Sequence, residues 1–171
     1  DLNFLGINNV LALRGDARQF EDKFIAEDNG HKYALDLVHQ IVGMNDGRYL
    51  DVNIQNGERT DFCIGIAGYP EKHFEAANDN VDLQYTKLKV DAGAGYIVTQ
   101  MFFDNSKYFE YAEKCKANGI DVPIVAGLKP LTRRYQLSSI PRKFFINLPQ
   151  DLVREVQKAK DDVAVQQIGI E

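Results

Sequence analysis

The sequence predicts an α/β fold, an incomplete (β/α)8 TIM barrel with about four parallel βα units. Short apolar runs bounded by polar and glycine residues recur along the chain, as is typical of buried parallel strands. Helical patterns separate these runs at intervals of about thirty residues, which favours parallel pairing through right-handed crossovers. An independent flavodoxin-like sheet is the structural alternative, although no glycine-rich phosphate-binding motif follows any of the runs.

The predicted strands cover residues 9–13, 62–67, 96–99 and 123–128. Predicted helices cover residues 30–43, 81–92, 106–118 and 131–140, and a last helix starts at Pro149. The apolar spacing of the first helix predicts one buried face, formed by Ala34, Leu37, Val38, Ile41 and Val42. In the second helix Val81, Tyr85, Leu88 and Ala92 recur at spacings of 4, 3 and 4 residues, which predicts a helix with these side chains on one apolar face.

Two segments depart from this rhythm. Residues 17–29 are polar and irregular, and their length predicts an active-site loop rather than a tight connection. Residues 49–54 alternate between apolar and polar side chains and precede a turn, which predicts a short edge strand or hairpin arm. We interpret it as a small β insertion at the periphery of the barrel.

Composition narrows the functional classes. With 171 residues, 44% of them hydrophobic and 26% charged, the chain is ordinary for one globular unit, and we assign residues 1–171 to a single partial catalytic domain. The ends of the sequence suggest a fragment of a longer chain. No apolar run reaches the roughly 18 to 20 residues of a membrane span and no signal peptide is visible, so we expect a cytoplasmic protein without a membrane partner.

Charge and cysteine content exclude further classes. A net charge of −5 argues against a nucleic-acid partner, which would require a basic face. The two cysteines, Cys63 and Cys115, form no metal-binding pattern with histidines, and we expect both to be buried as small apolar residues. No metal site is predicted.

Polar residues follow all four of the predicted strands, where parallel α/β folds carry their ligand sites. Arg14, Gly15 and Asp16 end the first run, where a glycine lets the backbone approach a planar ligand. Gln100 ends the third run, and its amide can read donor and acceptor groups of a heterocycle. For Arg14 a surface ion pair is the simpler interpretation, and for Gln100 a buried amide bonded to the backbone.

Four motifs in fixed order resemble the methylenetetrahydrofolate reductase family: residues 13–16 (LRGD), 67–73 (AGYPEKH), 88–94 (LKVDAGA) and 99–104 (TQMFFD). The resemblance covers essentially the whole chain. It implies a barrel that binds FAD, is reduced by NADH or NADPH, and reduces 5,10-methylenetetrahydrofolate to 5-methyltetrahydrofolate for methionine synthesis. The chain would then hold the fourth to seventh strands, and the partners would be small molecules in a homo-oligomeric enzyme.

The resemblance also implies roles for individual residues. Asp16 would act catalytically, beside the flavin ring and within reach of the pterin, and Gln100 and Gln136 would contact the folate substrate. The implied FAD-binding residues are Arg14, Gly15, Asp16, Tyr33, Ala34, Tyr69, His73, Asp82 and Lys89. Asp82 and Lys89 are seven residues apart and therefore share a helix face.

The sequence also departs from the family pattern. The proton-donating glutamate of the family belongs to its first strand and has no counterpart here, and nothing supports giving that role to Glu71 or Glu75. Two other interpretations stay open. One is another FAD-dependent barrel enzyme similar to proline dehydrogenase, and the other is a non-catalytic domain or assembly module.

Overall fold

The protein forms one parallel sheet with helices between its strands. A computed structural model describes residues 2–17, 24–51 and 53–170. In chain order the elements are β1 (Asn9–Ala12), α1 (Ala34–Asn45), β2 (Cys63–Gly68), α2 (Asp79–Asp91), β3 (Tyr96–Thr99), α3 (Asn105–Ala117), β4 (Ile124–Val125), α4 (Gln136–Phe144), α5 (Gln150–Lys158) and α6 (Asp162–Ile168). The predicted loop at 17–29 lies partly outside the described residues, since residues 18–23 are not described.

The four strands pair in the order β1-β2-β3-β4, and every pair is parallel. A doubly wound sheet would reverse its strand order at a switch point, so the flavodoxin-like alternative is wrong. Sequential order with right-handed crossovers places the connecting helices on one face of the sheet. The α/β fold with parallel βα units is therefore confirmed, and closure into a barrel stays a prediction.

One face of the sheet forms the main core. Ala12, Ile64, Ile66 and Ile97 are at most 2% exposed and pack with buried side chains of α1, α2 and α3. In α1 the buried pair Val38 and Ile41, with partly buried Leu37 and Val42, confirms the predicted apolar face. The helix starts at Ala34 and continues to Asn45, two residues past the predicted end at Gly43.

The opposite face of the sheet is largely uncovered. Strand register places alternate side chains on it, which we call the open face: Leu11, Leu13, Tyr96, Val98 and Val125. Leu11, Leu13 and Val125 are 41%, 51% and 50% exposed. This apolar face is the one that further strands of a closed barrel would cover.

Helices α4, α5 and α6 build a second apolar cluster beside the sheet. Its buried residues come from these helices and their connections: Leu131, Ile140, Ile146, Val156, Ala159 and Val165. Helix α5 follows Pro149 as predicted, but α4 begins at Gln136 instead of near residue 131. The Gln136 side-chain oxygen accepts hydrogen bonds from the backbone N–H groups of Thr132 (2.7 Å) and Arg133 (2.8 Å), which holds the preceding segment as a loop.

The predicted peripheral strand at 49–54 is wrong for every described residue of that segment. The Asp51 carboxylate instead accepts hydrogen bonds from the Asn53 backbone and side chain, both at 2.9 Å, and so forms a local turn. Leu50 and Ile54 are exposed, and no described strand pairs with the segment. The alternation of apolar and polar side chains therefore does not produce a strand here, because no described strand lies beside the segment to pair with it.

Two further expectations differ from the structure. Cys115 is buried as predicted, but Cys63 is exposed because it begins β2, on the side of the sheet that the helices leave uncovered. The fourth strand covers only Ile124–Val125, shorter than the predicted 123–128.

Within the described residues no helix is long and apolar enough to cross a membrane.

Candidate active site at the carboxyl edge of the sheet

The segment that follows β2 carries the first group of candidate side chains. The rings of Tyr69 and His73 form a T-shaped pair, with centroids 4.7 Å apart and planes at 79°. The backbone N–H of His73 donates to Oδ2 of Asp82 at 3.1 Å, and its Nδ1 accepts from the Glu75 backbone N–H at 3.2 Å. Lys72 adopts a left-handed conformation (φ 73°), and its ammonium donates to the carbonyls of His73 and Ala76. These contacts fix the loop without a regular element.

Arg14, at the end of β1, contacts that same loop. Its Nη2 lies 2.5 Å from Oε2 of Glu75, and the two side chains are 20% and 37% exposed. The guanidinium also lies over the Phe24 ring, 5.3 Å from its centroid. The ion pair proposed for Arg14 is therefore observed. It connects the end of β1 to the loop after β2, and so lies at the candidate site.

Asp82 and Lys89 lie on the inward side of α2. Asp82 is only 7% exposed, and burial raises the pKa of its carboxyl group, opposed by the His73 backbone hydrogen bond. Burial lowers the pKa of Lys89, opposed by Asp82, and the Lys89 ammonium donates to the Ala67 carbonyl at 3.2 Å. Charged side chains usually lie on the solvated face of a helix, but α2 turns both of these charges inward.

This orientation corrects the predicted face of α2. Tyr85 and Leu88 were expected to be buried, yet they are 57% and 50% exposed. The buried residues are Asp82, Leu83 and Thr86. The apolar periodicity predicted the wrong buried face of α2, because the polar residues Asp82 and Thr86 occupy inward positions of this helix.

Electrostatic interactions show that the candidates share one neighbourhood. Burial raises the pKa of Tyr69, Asp82 and Asp16 raise it further by smaller amounts, and Arg14 opposes the shift. Burial likewise lowers the pKa of His73, while Glu75 and Asp82 oppose that shift. The structure therefore brings together six of the predicted FAD-binding residues: Arg14, Asp16, Tyr69, His73, Asp82 and Lys89.

Gly15, between Arg14 and Asp16, leaves the backbone accessible. A Cβ added there would meet only the edge of the Phe24 ring at 3.6 Å, an ordinary contact. The described chain therefore does not itself require a glycine at this position. Open backbone beside a cation and a carboxylate is what a planar ligand would use.

Gln100 lines an open cleft of about 300 Å³ at the ends of β3 and β4, together with Thr99, Met101, Gly127, Leu128 and Lys129. Its backbone N–H donates to the Gly68 carbonyl at 2.8 Å, which ties it to the end of β2. Its side-chain oxygen accepts from the Met101 backbone at 3.0 Å. The NH2 group of the amide thus remains as the donor that Gln100 can offer to a substrate.

The remaining predicted residues stand apart from this group. The side-chain oxygen of Gln136 accepts from Thr132 and Arg133, so that part of the amide is used within the loop before α4. Tyr33 immediately precedes α1 and is 53% exposed, and its backbone N–H donates to Asp36 at 2.9 Å. Tyr33 and Ala34 lie at the helix start as predicted, and the described contacts do not join them to Tyr69 or His73.

Two connections of the β2–α2 loop could not be predicted from the sequence. Glu71 accepts from the backbone and side-chain amide of Asn147, and the Phe74 ring stacks on Phe145 with centroids 4.6 Å apart. Phe145 has a positive φ of 55°, which is unusual for a non-glycine residue. Of these four residues only Glu71 carries a charge that indicates a polar contact, and neither Asn147 nor Phe145 could be predicted as a partner from local spacing in the sequence.

Comparisons with known proteins identify the family. The family model for methylenetetrahydrofolate reductase matches residues 1–171. Methylenetetrahydrofolate reductase 2 of Saccharomyces cerevisiae is 36% identical over 159 residues, covering 92% of this chain and 24% of that protein. Methylenetetrahydrofolate reductase (NADH) 1 of Arabidopsis thaliana is 36% identical, covering 96% and 27%. A probable methylenetetrahydrofolate reductase (NADPH) of Caenorhabditis elegans is 33% identical, covering 98% and 23%.

These matches decide against the interpretation as an enzyme similar to proline dehydrogenase. The chain spans about a quarter of the length of these relatives. The order of the four motifs and the similarity along almost the whole chain lead to one assignment. The chain belongs to the methylenetetrahydrofolate reductase family.

Proposed function

We propose that this chain forms part of the active site of a flavin-dependent methylenetetrahydrofolate reductase. The reaction would reduce 5,10-methylenetetrahydrofolate to 5-methyltetrahydrofolate with NADH or NADPH, and the product would serve methionine synthesis. The observation that carries the proposal is the convergence of Arg14, Asp16, Tyr69, His73, Asp82 and Lys89 at one edge of the sheet, in a chain of this family.

The donor groups at this edge fit FAD. Its diphosphate is anionic, and Arg14 and Lys89 supply two cations that keep free N–H donors after their contacts with Glu75 and Ala67. The buried Asp82 carboxylate can accept from ribose hydroxyls, and the open backbone at Gly15 allows a flat ring to approach. When bound, FAD would carry electrons from the nicotinamide to the folate.

The chain's own residues would bind and orient the ligands. Asp16 is exposed at the strand end, where its carboxylate can accept from the amino group of a pterin and influence the flavin electronically. The free amide donor of Gln100 would contact each substrate in turn. Gln136 would add a second folate contact, and Tyr33 and Ala34 would complete the flavin site from the start of α1.

The isolated chain is expected to be inactive. No residue in it corresponds to the family's proton-donating glutamate, and the glutamates of the β2–α2 loop are already engaged, Glu71 with Asn147 and Glu75 with Arg14. Catalysis would therefore need the full-length protein, which we expect to be a homo-oligomer.

The test is a two-step reaction of the purified full-length protein. Bound FAD should give absorbance near the flavin maxima, anaerobic NADH or NADPH should bleach it, and 5,10-methylenetetrahydrofolate should restore it. Running the two nicotinamides in parallel identifies the reductant. A correctly folded full-length protein that neither retains added FAD nor oxidises either nicotinamide would reject the proposal and favour a non-catalytic module.

A further inference from the structure

Glu75, at the carboxyl edge of the sheet, makes two different contacts with the proposed FAD-binding residues. Its carboxylate accepts from Arg14 Nη2 at 2.5 Å, and its backbone N–H donates to His73 Nδ1 at 3.2 Å. Arg14 and Glu75 are 61 residues apart in the chain. A single residue thus connects the end of β1 to the loop that follows β2.

The contact with His73 determines which nitrogen of the ring carries the proton. A nitrogen that accepts a hydrogen bond cannot carry a proton, so neutral His73 holds its proton on Nε2. Burial, which lowers the pKa of His73, favours this neutral form. His73 therefore presents an Nε2–H donor, while its backbone N–H and its ring are held by Asp82 and Tyr69.

The ion pair between Glu75 and Arg14 restricts the second donor, which is the Arg14 guanidinium. An exposed arginine has many side-chain conformations, and an ion pair that fixes one nitrogen leaves the other N–H groups in a defined fork. The Phe24 ring below the guanidinium restricts it further. Both donors, on two neighbouring strand ends, thereby acquire fixed directions before any ligand arrives.

We propose that Glu75 is a positioning residue for the anionic part of FAD: its carboxylate orients Arg14 and its backbone N–H sets the Nε2–H tautomer of His73. This inference rests on the proposed function, because it assumes that the dinucleotide diphosphate is the ligand at this edge. Preorganised donors bind an anion more tightly because less conformational entropy is lost on binding.

The substitution Glu75→Gln separates positioning from simple charge. A glutamate that only lay near a diphosphate would repel it, so removing its charge would tighten FAD binding. A glutamate that orients Arg14 predicts the opposite, a dissociation constant about five- to tenfold higher, in line with the loss of a charge-assisted hydrogen bond. The matched control is Glu71→Gln in the same loop, whose side chain contacts Asn147 instead of Arg14 and which should leave FAD affinity within about twofold.

The full-length apo protein is titrated with FAD, and flavin fluorescence gives the dissociation constants. Equal or tighter binding by Glu75→Gln, while the wild type binds FAD, would overturn the positioning role and leave the proposed function standing. A wild-type protein that binds no FAD would reject both.

The position of the proton on the His73 ring is a second measurement, and a purely structural role of Glu75 would not affect it. In the wild type, ¹⁵N NMR of the imidazole should show Nδ1 as the unprotonated nitrogen, and Glu75→Gln should keep that signature because the backbone N–H remains. Glu75→Pro removes the N–H and should shift the equilibrium toward the Nδ1–H form. A wild-type spectrum with the proton on Nδ1 would contradict the inference even if the proline variant does not fold.

Discussion

Replacing Lys89 by methionine should make the apo protein more stable and its FAD complex weaker. Lys89 points inward from α2, and its ammonium has one hydrogen bond, to the neutral Ala67 carbonyl at 3.2 Å. No salt bridge to Lys89 occurs among the described residues, and burial lowers its pKa. A desolvated cation with so little compensation reduces stability, and methionine fills a similar volume without charge.

The magnitude follows from this environment. Exchanging a poorly compensated buried charge for an apolar side chain gains about 1 kcal/mol, the lower end of what such replacements give. For a unit of this size that corresponds to a rise in Tm of roughly 2 to 4 °C. Because the pKa of Lys89 is lowered in the folded protein, its charge reduces the free energy of unfolding by the full amount at every pH below that folded-state pKa. The cost disappears as the pH rises toward the ordinary value of 10.5. The stability gained by the methionine variant is therefore complete at acidic pH.

Two measurements on the full-length protein test this prediction. Differential scanning calorimetry of the apo form should show the higher Tm in the unfolding transition of this unit. FAD titration should show a dissociation constant raised about tenfold, because the proposed role of Lys89 is to face a phosphate of FAD. The control Lys87→Met lies on the same helix and loses only an exposed i,i+4 pair with Asp91, worth about 0.3 to 0.5 kcal/mol. A lower Tm combined with unchanged FAD affinity would show that Lys89 is structural.

Three further changes test other parts of the argument. Gly68→Ala should cost about 1 to 3 kcal/mol in thermal unfolding, because the added Cβ would lie 2.5 Å from Tyr111 Oη and 2.6 Å from Ile97 Cγ2; full stability would contradict the packing. Asp16→Asn should keep flavin binding and slow flavin reoxidation by folate more than NADH oxidation, and equal slowing in stopped flow would oppose a pterin role. Gln100→Glu should slow both half-reactions, and a variant with normal rates would remove Gln100 from the site.

The sequence was most informative where a local pattern and the tertiary environment agree. The strand at Tyr96–Thr99 is observed at its predicted bounds, and α1 buries its predicted apolar face. The arrangement of strand ends also followed from topology alone, because parallel strands in sequential order place their carboxyl ends on one edge. Arg14 and Tyr69 could thus be predicted as neighbours although 55 residues separate them (69 − 14 = 55).

The failures have specific physical causes. In α2 the periodicity of Tyr85 and Leu88 predicted the wrong face, because the inward positions hold Asp82 and Thr86. Local patterns assume that apolar residues are inside, and that assumption is weakest at functional sites. The Arg14–Glu75 pair and the His73 tautomer depend on side-chain directions after the chain has folded, which no spacing in the sequence encodes.

The poorly compensated charges at the carboxyl edge of the sheet favour a ligand-binding role for this edge. Asp82 and Lys89 are both desolvated, with hydrogen bonds to backbone groups rather than a close ion pair with each other, and each therefore costs folding stability. Arg14 is paired, but through one nitrogen at a half-open surface. A sequence selected only for stability would replace the first two with apolar residues of similar volume. Their presence beside an open glycine backbone is explained if a polar ligand with anionic and hydroxyl groups supplies the missing partners, which is the chemistry of the proposed flavin dinucleotide.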